Sequence, residues 1–323
     1  MVRAKTWTLR KHFEGFPQDS DFELKEQELP EPKDGEVLLE AVFLSVDPYM
    51  RPYSKVRMKE GDVMIGSQVA NVSSQEHRAV YRPATEVYSS NMPTNSWSVT
   101  EEPSSPTWPE PFPFACFRLT ALYGLTEVCE MKPGDVVLVN AAAGAVGSVV
   151  GQIAKIKGCK AVGCAGSDSK VAYLKEMGFD EAFNYKTVSS LEEALKKASP
   201  EGYDCFFENV SCFSAREITQ LCSDLRCIGV ECKIIFTFFD NIKARCSGPY
   251  VHPQLLFKQL RMEGFLVYRW KHKNEESLKQ LMTWVKEGKL KYREHITAGF
   301  ANMPRAFMGM LKGENTGKAI VKA

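Results

Sequence analysis

Val136-Val-Leu-Val-Asn-Ala-Ala-Ala-Gly-Ala-Val-Gly-Ser-Val-Val-Gly-Gln-Ile-Ala-Lys155 is the stretch whose reading decides the fold. Four apolar residues follow Pro133-Gly134 and read as a short strand buried on both faces. Residues Ala145 to Lys157 have helical periodicity and stop at Gly158. Ala142, Gly144 and Gly147 occupy the positions of G-x-G-x-x-G, with Ala in place of the first Gly. Gly144 lets backbone approach a pyrophosphate, and Gly147 lets the helix pack close to the strand. The helix N-terminus then offers N–H donors and positive dipole to phosphate. A bare glycine match is weak; the order strand, tight turn, helix makes this one a dinucleotide-site candidate.

Downstream, strands and helices alternate. Lys160–Cys164 is a second strand, Asp168–Met177 a helix stopped by Gly178, and Glu181–Tyr185 a third strand. Leu191–Ala198 is a helix and Tyr203–Phe207 a fourth strand. Such alternation means parallel strands joined by crossover helices, an α/β Rossmann-type doubly wound sheet. Asn274 reads as a helix N-cap before a Leu278, Leu281, Met282, Val285 stripe. Met303 opens one more helix after Asn302, and Lys318–Lys322 is a last strand.

Upstream, the chain is β-rich. Lys5–Leu9, Phe22–Leu29 and Glu36–Val46 read as strands, and their close turn signals suggest a small barrel. Six of the 17 prolines fall between Pro93 and Pro113, so a domain junction is placed just after them. The expected domains are 1–114, completed by 290–323, and 115–289.

Composition narrows the function classes. With 41 basic and 40 acidic residues the net charge is +1, which gives no field for nucleic acid or an anionic membrane. No apolar run approaches the ~18 residues of a membrane span. Met1-Val-Arg-Ala-Lys-Thr-Trp has no apolar leader core, and ten Cys in 323 residues is not disulfide-scaffold density. The expectation is reduced thiols and a cytoplasmic location.

The end of the second strand bears on the cofactor. An NAD site wants Asp or Glu about 20 residues past the glycines, to bond the ribose 2′-hydroxyl. Cys164-Ala165-Gly166 carries no acid there, while Gly166, Ser167 and Lys170 suit a 2′-phosphate. That favours NADP(H). Asp168 is the complication: it is either the missing acid or the cap of the next helix.

The five His show no H-E-x-x-H pattern, and Cys222, Cys227 and Cys232, each five apart, lack zinc spacing. No metal site is expected. No G-x-S-x-G elbow points to a serine hydrolase. Hydride transfer assisted by hydrogen bonding remains. If the substrate is a C=C bond conjugated to a carbonyl, charge develops on the carbonyl oxygen. A Tyr hydroxyl or the cofactor's ribose hydroxyl stabilises it.

Several motifs together carry a resemblance. They are Val46-Asp-Pro-Tyr-Met-Arg51, Ala141 to Gln152, Phe183-Asn-Tyr-Lys-Thr187, Met262-Glu-Gly-Phe-Leu-Val-Tyr-Arg-Trp270 and Asn302 to Lys322. They resemble the zinc-free medium-chain dehydrogenase/reductases, within them the leukotriene B4 12-hydroxydehydrogenase/prostaglandin reductase group. The resemblance implies the Rossmann-type sheet plus a GroES-like barrel domain, NADP(H), a cytoplasmic location and a homodimer. It implies NADPH-dependent C=C reduction of α,β-unsaturated ketones and aldehydes, including 15-oxo-prostaglandins and 2-alkenals, and oxidation of the leukotriene B4 12-hydroxyl. By residue match, Gly144, Ala145, Val146 and Gly147 hold the pyrophosphate, and Lys170 and Tyr185 the 2′-phosphate end. Asn209, Cys232, Phe238, Phe265, Leu266, Val267 and Asn315 complete the cofactor pocket, and Tyr49 polarises the substrate carbonyl.

Two stretches depart from the group's pattern. Ala115 to Gly124 replaces a Gly-rich lead into the cofactor domain. Ser211-Cys212 replaces a Gly pair, and Lys233 and Phe238 stand where the group has Gly and Tyr. These departures motivate one alternative, a cofactor-binding relative with little turnover. A quinone reductase is the other.

Overall fold

A computed structural model describes residues 2–29, 39–72, 116–209, 227–231 and 252–323. The described residues form two compact units. One holds those up to 72, with Glu294–Asn315 and Ala319–Ala323; the other runs from 116 to Arg293, with Thr316–Lys318.

The first unit is β-rich. β1 (Val2–Leu9) and β2 (Phe22–Leu29) pair antiparallel from Val2↔Leu29 to Leu9↔Phe22. β3 (Leu39–Ser45) is shorter than the expected 36–46; residues 36–38 lie outside the described residues, and Val46 turns away to begin the loop before α1 (Met50–Val56). β4 (Gln68–Val72) pairs with β3.

The second unit is built on a parallel sheet. Helix α2 (Cys116–Tyr123) leads into β5 (Val136–Val139), α3 (Gly147–Ile156), β6 (Lys160–Ala165), α4 (Asp168–Glu176), β7 (Glu181–Asn184), α5 (Leu191–Ala198) and β8 (Cys205–Glu208). β9 (Cys227–Glu231), α6 (His252–Phe257), β10 (Arg261–Phe265) and α7 (Asn274–Lys286) follow. The strand order is β10-β9-β8-β5-β6-β7, with every pair parallel. The expected doubly wound α/β sheet is therefore present.

Alternation along β5 shows why the sheet needs helices on both faces. Val137 and Val139 pack with α2, α3 and α7 side chains, while Val136 and Leu138 pack with Leu195 and Ala198 of α5. Several element bounds of this unit shift by one or two residues from expectation, and two differences have a visible cause. β8 begins at Cys205, because the Tyr203 side chain turns back to donate to the Leu195 carbonyl at 2.8 Å. Asn274 is the first residue of α7 and not its cap; its Oδ1 accepts the Tyr123 hydroxyl at 3.0 Å.

The chain then returns to the β-rich unit. β11 (Glu294–Ala298), α8 (Met303–Leu311) and β12 (Lys318–Lys322) complete a sheet of order β11-β12-β3-β4. Its core joins Phe22, Val46, Met50, Phe307 and Val321. Among the described residues no helix is long and apolar enough to cross a membrane.

Candidate active site

The strand order reverses between β5 and β8. In open α/β sheets ligands sit outside the carboxyl ends of the strands at that reversal. The chain leaving β5 there is strained. Ala141 takes φ 45°, a left-handed conformation that costs a residue with a Cβ about 1–2 kcal/mol. Ala142 stands at the motif's first Gly position, and the left-handed residue is one earlier. Ala142 instead donates its N–H to the Cys164 carbonyl at 3.1 Å, tying the turn to β6.

Gly147 has no room for a side chain. A Cβ there would lie 2.7 Å from the Ala141 oxygen and from Ala142 Cα. Gly144 is bridged to Gly317, whose N–H donates to the Ala143 carbonyl at 2.7 Å. The amides of Ala145, Val146 and Gly147 donate no hydrogen bond among the described residues, and no side chain caps α3. Open donors on a tight turn at the positive end of a helix fit a pyrophosphate. The buried side of α3 is held by Gln152, which donates to the Lys291 carbonyl (2.9 Å) and accepts the Lys291 N–H (2.7 Å).

The carboxyl end of β6 settles the place of Asp168. Ser167 caps α4, its Oγ accepting the Lys170 N–H at 3.4 Å. Asp168 Oδ1 accepts the Asn184 side-chain N–H at 2.8 Å. Asp168 is therefore not the cap, and its carboxylate is engaged by β7. Tyr185 is half-buried beside the α5-facing core, its N–H donating to Ala165. Lys170 is held below the ordinary lysine range, first by burial and then by the nearby charge of Lys186.

Asn209, just past β8, is clamped by Asn140, just past β5. Its N–H donates to Asn140 Oδ1 (2.6 Å), and its side chain donates to the Asn140 carbonyl (2.9 Å). Both residues are buried, and Asn209 Oδ1 has no hydrogen-bond partner among the described residues. A buried acceptor left open at the strand reversal suits a ligand donor.

Glu208 ends β8 and is 6% exposed. Burial alone pushes its carboxyl up to about 7. A folded value above the unfolded one means that the stability this group supports is complete below the ordinary range. It is lost as pH rises through about 7. The shift corresponds to roughly 3 kcal/mol. Thermal melting should therefore show Glu208→Gln equal to the parent near pH 5 and more stable near pH 8. Parallel melting curves for the two proteins across that range would contradict this.

The remaining expected residues fall in different places. The Phe265 side chain lies in the core, 6.3 Å from the Phe207 ring and 5.7 Å from Trp270, so its side chain does not open toward a ligand. Leu266 is exposed and Val267 is partly buried against the main core. Asn315 belongs to the β-rich unit. Tyr49 is in that unit as well, half-buried before α1 with its ring 5.4 Å from Tyr53. Cys232, Lys233, Phe238 and Ser211-Cys212 lie outside the described residues. Among the described residues no three His, Cys, Asp or Glu side chains come together as a metal site. Sequence reading missed Asn140, Asn184 and Lys186. The signal for Asn140 was a lone amide ending an all-apolar strand.

Comparison with known proteins agrees over the whole chain. Residues 5–101 match the family described as the N-terminal domain of oxidoreductase, and residues 145–287 match the zinc-binding dehydrogenase family. The chain is 53% identical to Prostaglandin reductase 1 of Rattus norvegicus, covering 100% of each. It is 34% identical to 2-alkenal reductase (NADP(+)-dependent) of Nicotiana tabacum, covering 99% of this chain and 97% of that one. The crystal structure of CurA from Vibrio vulnificus in complex with NADPH is similar at a TM-score of 0.83. It shares 30% identity, with 99% of each chain covered.

Proposed function

The chain belongs to the prostaglandin reductase group of the zinc-free medium-chain dehydrogenase/reductases, and we propose that it reduces the C=C bond of α,β-unsaturated ketones and aldehydes with NADPH. The observation that carries the reading is the cradle at the carboxyl ends of β5 and β6. There, open amides face the strand reversal, and lysines with an engaged Asp168 mark the adjacent strand end. The named relatives act on prostaglandins and 2-alkenals, which supports a conjugated carbonyl as the substrate class.

In this reading Gly144, Ala145, Val146 and Gly147 hold the pyrophosphate, and Lys170 and Tyr185 hold the 2′-phosphate end. Asn209, with the backbone of Phe265, Leu266 and Val267 and with Asn315, completes the pocket. Bound NADPH supplies the hydride that the β-carbon of the substrate accepts. Charge then develops on the carbonyl oxygen, the Tyr49 hydroxyl donates a hydrogen bond to it, and a proton from water at the α-carbon completes the saturated product.

The finer assignment is a cytoplasmic homodimer. Cys159 and Cys205, buried and in no disulfide among the described residues, suit a reducing compartment. Among the described residues β10 is the outer strand of the sheet, and Leu256, Phe257 and Leu266 near it are exposed, which suits an edge-to-edge partner. The purified chain, given NADPH and a 2-alkenal, should deplete the nicotinamide absorbance, and NADH should support much slower turnover. No depletion with any enone tried, or equal use of NADH, would overturn the proposal.

A further inference from the structure

The acid nearest the end of β6 is Asp168, and the structure shows what holds it. Asn184 ends β7 and is 9% exposed. Its side chain works in two directions. The amide N–H donates to Asp168 Oδ1 at 2.8 Å, and the amide oxygen accepts the Lys186 N–H at 3.1 Å. The Asn184 carbonyl also accepts the N–H (3.2 Å) and hydroxyl (3.3 Å) of Thr187, which fixes the turn after β7.

That turn delivers Lys186 to Gly166. A Cβ built on Gly166 would lie 3.1 Å from Lys186 Cε, 3.1 Å from the Tyr185 hydroxyl and 3.4 Å from Lys186 Nζ. The lysine arm and the phenol thus lie against a strand end that has no side chain to displace them. Lys186 forms no ion pair among the described residues. Lys170 is near enough to feel its charge. Two neighbouring ammonium groups repel each other, and a dianion between them relieves the repulsion.

We propose that Lys186 and Asn184 set the preference for a 2′-phosphorylated cofactor. Lys186 supplies a second cation to the 2′-phosphate beside Lys170. Asn184 is a positioning residue: it holds the Asp168 carboxylate away from the ribose and orients the turn that carries Lys186. The inference rests on the NADP(H) reading and assigns two residues to the discrimination that reading requires.

The test is calorimetric binding of adenosine 2′,5′-bisphosphate and adenosine 5′-monophosphate to the full chain, with no turnover involved. The parent should bind the bisphosphate more tightly. Lys186→Ala, an exposed change, should weaken the bisphosphate about tenfold, as loss of one charge-assisted hydrogen bond does, and leave the monophosphate unchanged. Asn184→Ala should narrow the preference, and adding Asp168→Asn should restore it. A parent preference that Lys186→Ala leaves intact, or equal losses for both ligands, overturns the inference alone. A parent without preference overturns the NADP(H) reading and the inference with it.

Discussion

Gly147→Ala should lower both stability and cofactor affinity, against the usual sign of that substitution. Within a helix, Gly→Ala ordinarily stabilises by about 1 kcal/mol. At Gly147 the added Cβ meets backbone: the Ala141 oxygen and Ala142 Cα at 2.7 Å and the Ala142 oxygen at 3.0 Å. Neither neighbour yields easily. Ala141 already holds a left-handed φ of 45°, and Ala142 is hydrogen-bonded to Cys164 of β6. The helix must therefore move off the turn. Overpacking of this kind costs roughly 1–3 kcal/mol and displaces the amides of Ala145, Val146 and Gly147 from a common focus. The melting temperature should fall, and the dissociation constant for NADPH should rise on the order of 100-fold in a nicotinamide fluorescence titration. Gly144→Ala, whose Cβ would lie 3.2 Å from the Ala141 oxygen, should melt closer to the parent. A Gly147→Ala protein with parental affinity would show that helix and turn do not form the pyrophosphate cradle.

The second large effect is expected at Tyr49. The phenylalanine variant keeps the ring that packs against the β-rich core and Tyr53, and removes only the hydroxyl. If that hydroxyl donates to the developing oxyanion, kcat should fall on the order of 100-fold, the size of losing one oxyanion donor. NADPH affinity should not change, because the proposed pyrophosphate and 2′-phosphate contacts come from other residues. Melting should stay near the parent, because the packing is retained. The contrast between a large fall in kcat and an unchanged cofactor affinity separates a catalytic hydroxyl from a packing one. An unchanged kcat would reduce Tyr49 to a core residue.

How far the site was legible follows from how local its parts are. The strand, turn and helix around Gly144 and Gly147 are contiguous, so spacing and residue size sufficed. The position of strain did not follow from spacing, since Ala141 and Ala142 are the same residue type and only the bond from Ala142 to Cys164 shows which one turns. The role of Asp168 stayed open for a similar reason. Its partner Asn184 is 16 residues away on the next strand, and sheet register brings them together. The Asn140–Asn209 clamp joins residues 69 apart across the strand reversal, a pairing that periodicity does not reveal. Phe265 fell in the expected segment, but its side chain faces Phe207 and Trp270, a direction set by the pleat of β10 and by tertiary packing. Asn274 looked like a cap by residue type, and the Tyr123 hydroxyl claimed its oxygen instead.

The measurement that bears most directly on the proposed reaction is the fate of the transferred hydrogen. NADPH deuterated at the transferable position is incubated with the purified chain and a simple enone, and the product is read by NMR. The expected product is a saturated ketone with deuterium on the carbon that was β to the carbonyl. An allylic alcohol with deuterium on the former carbonyl carbon, or no product at all, would contradict it.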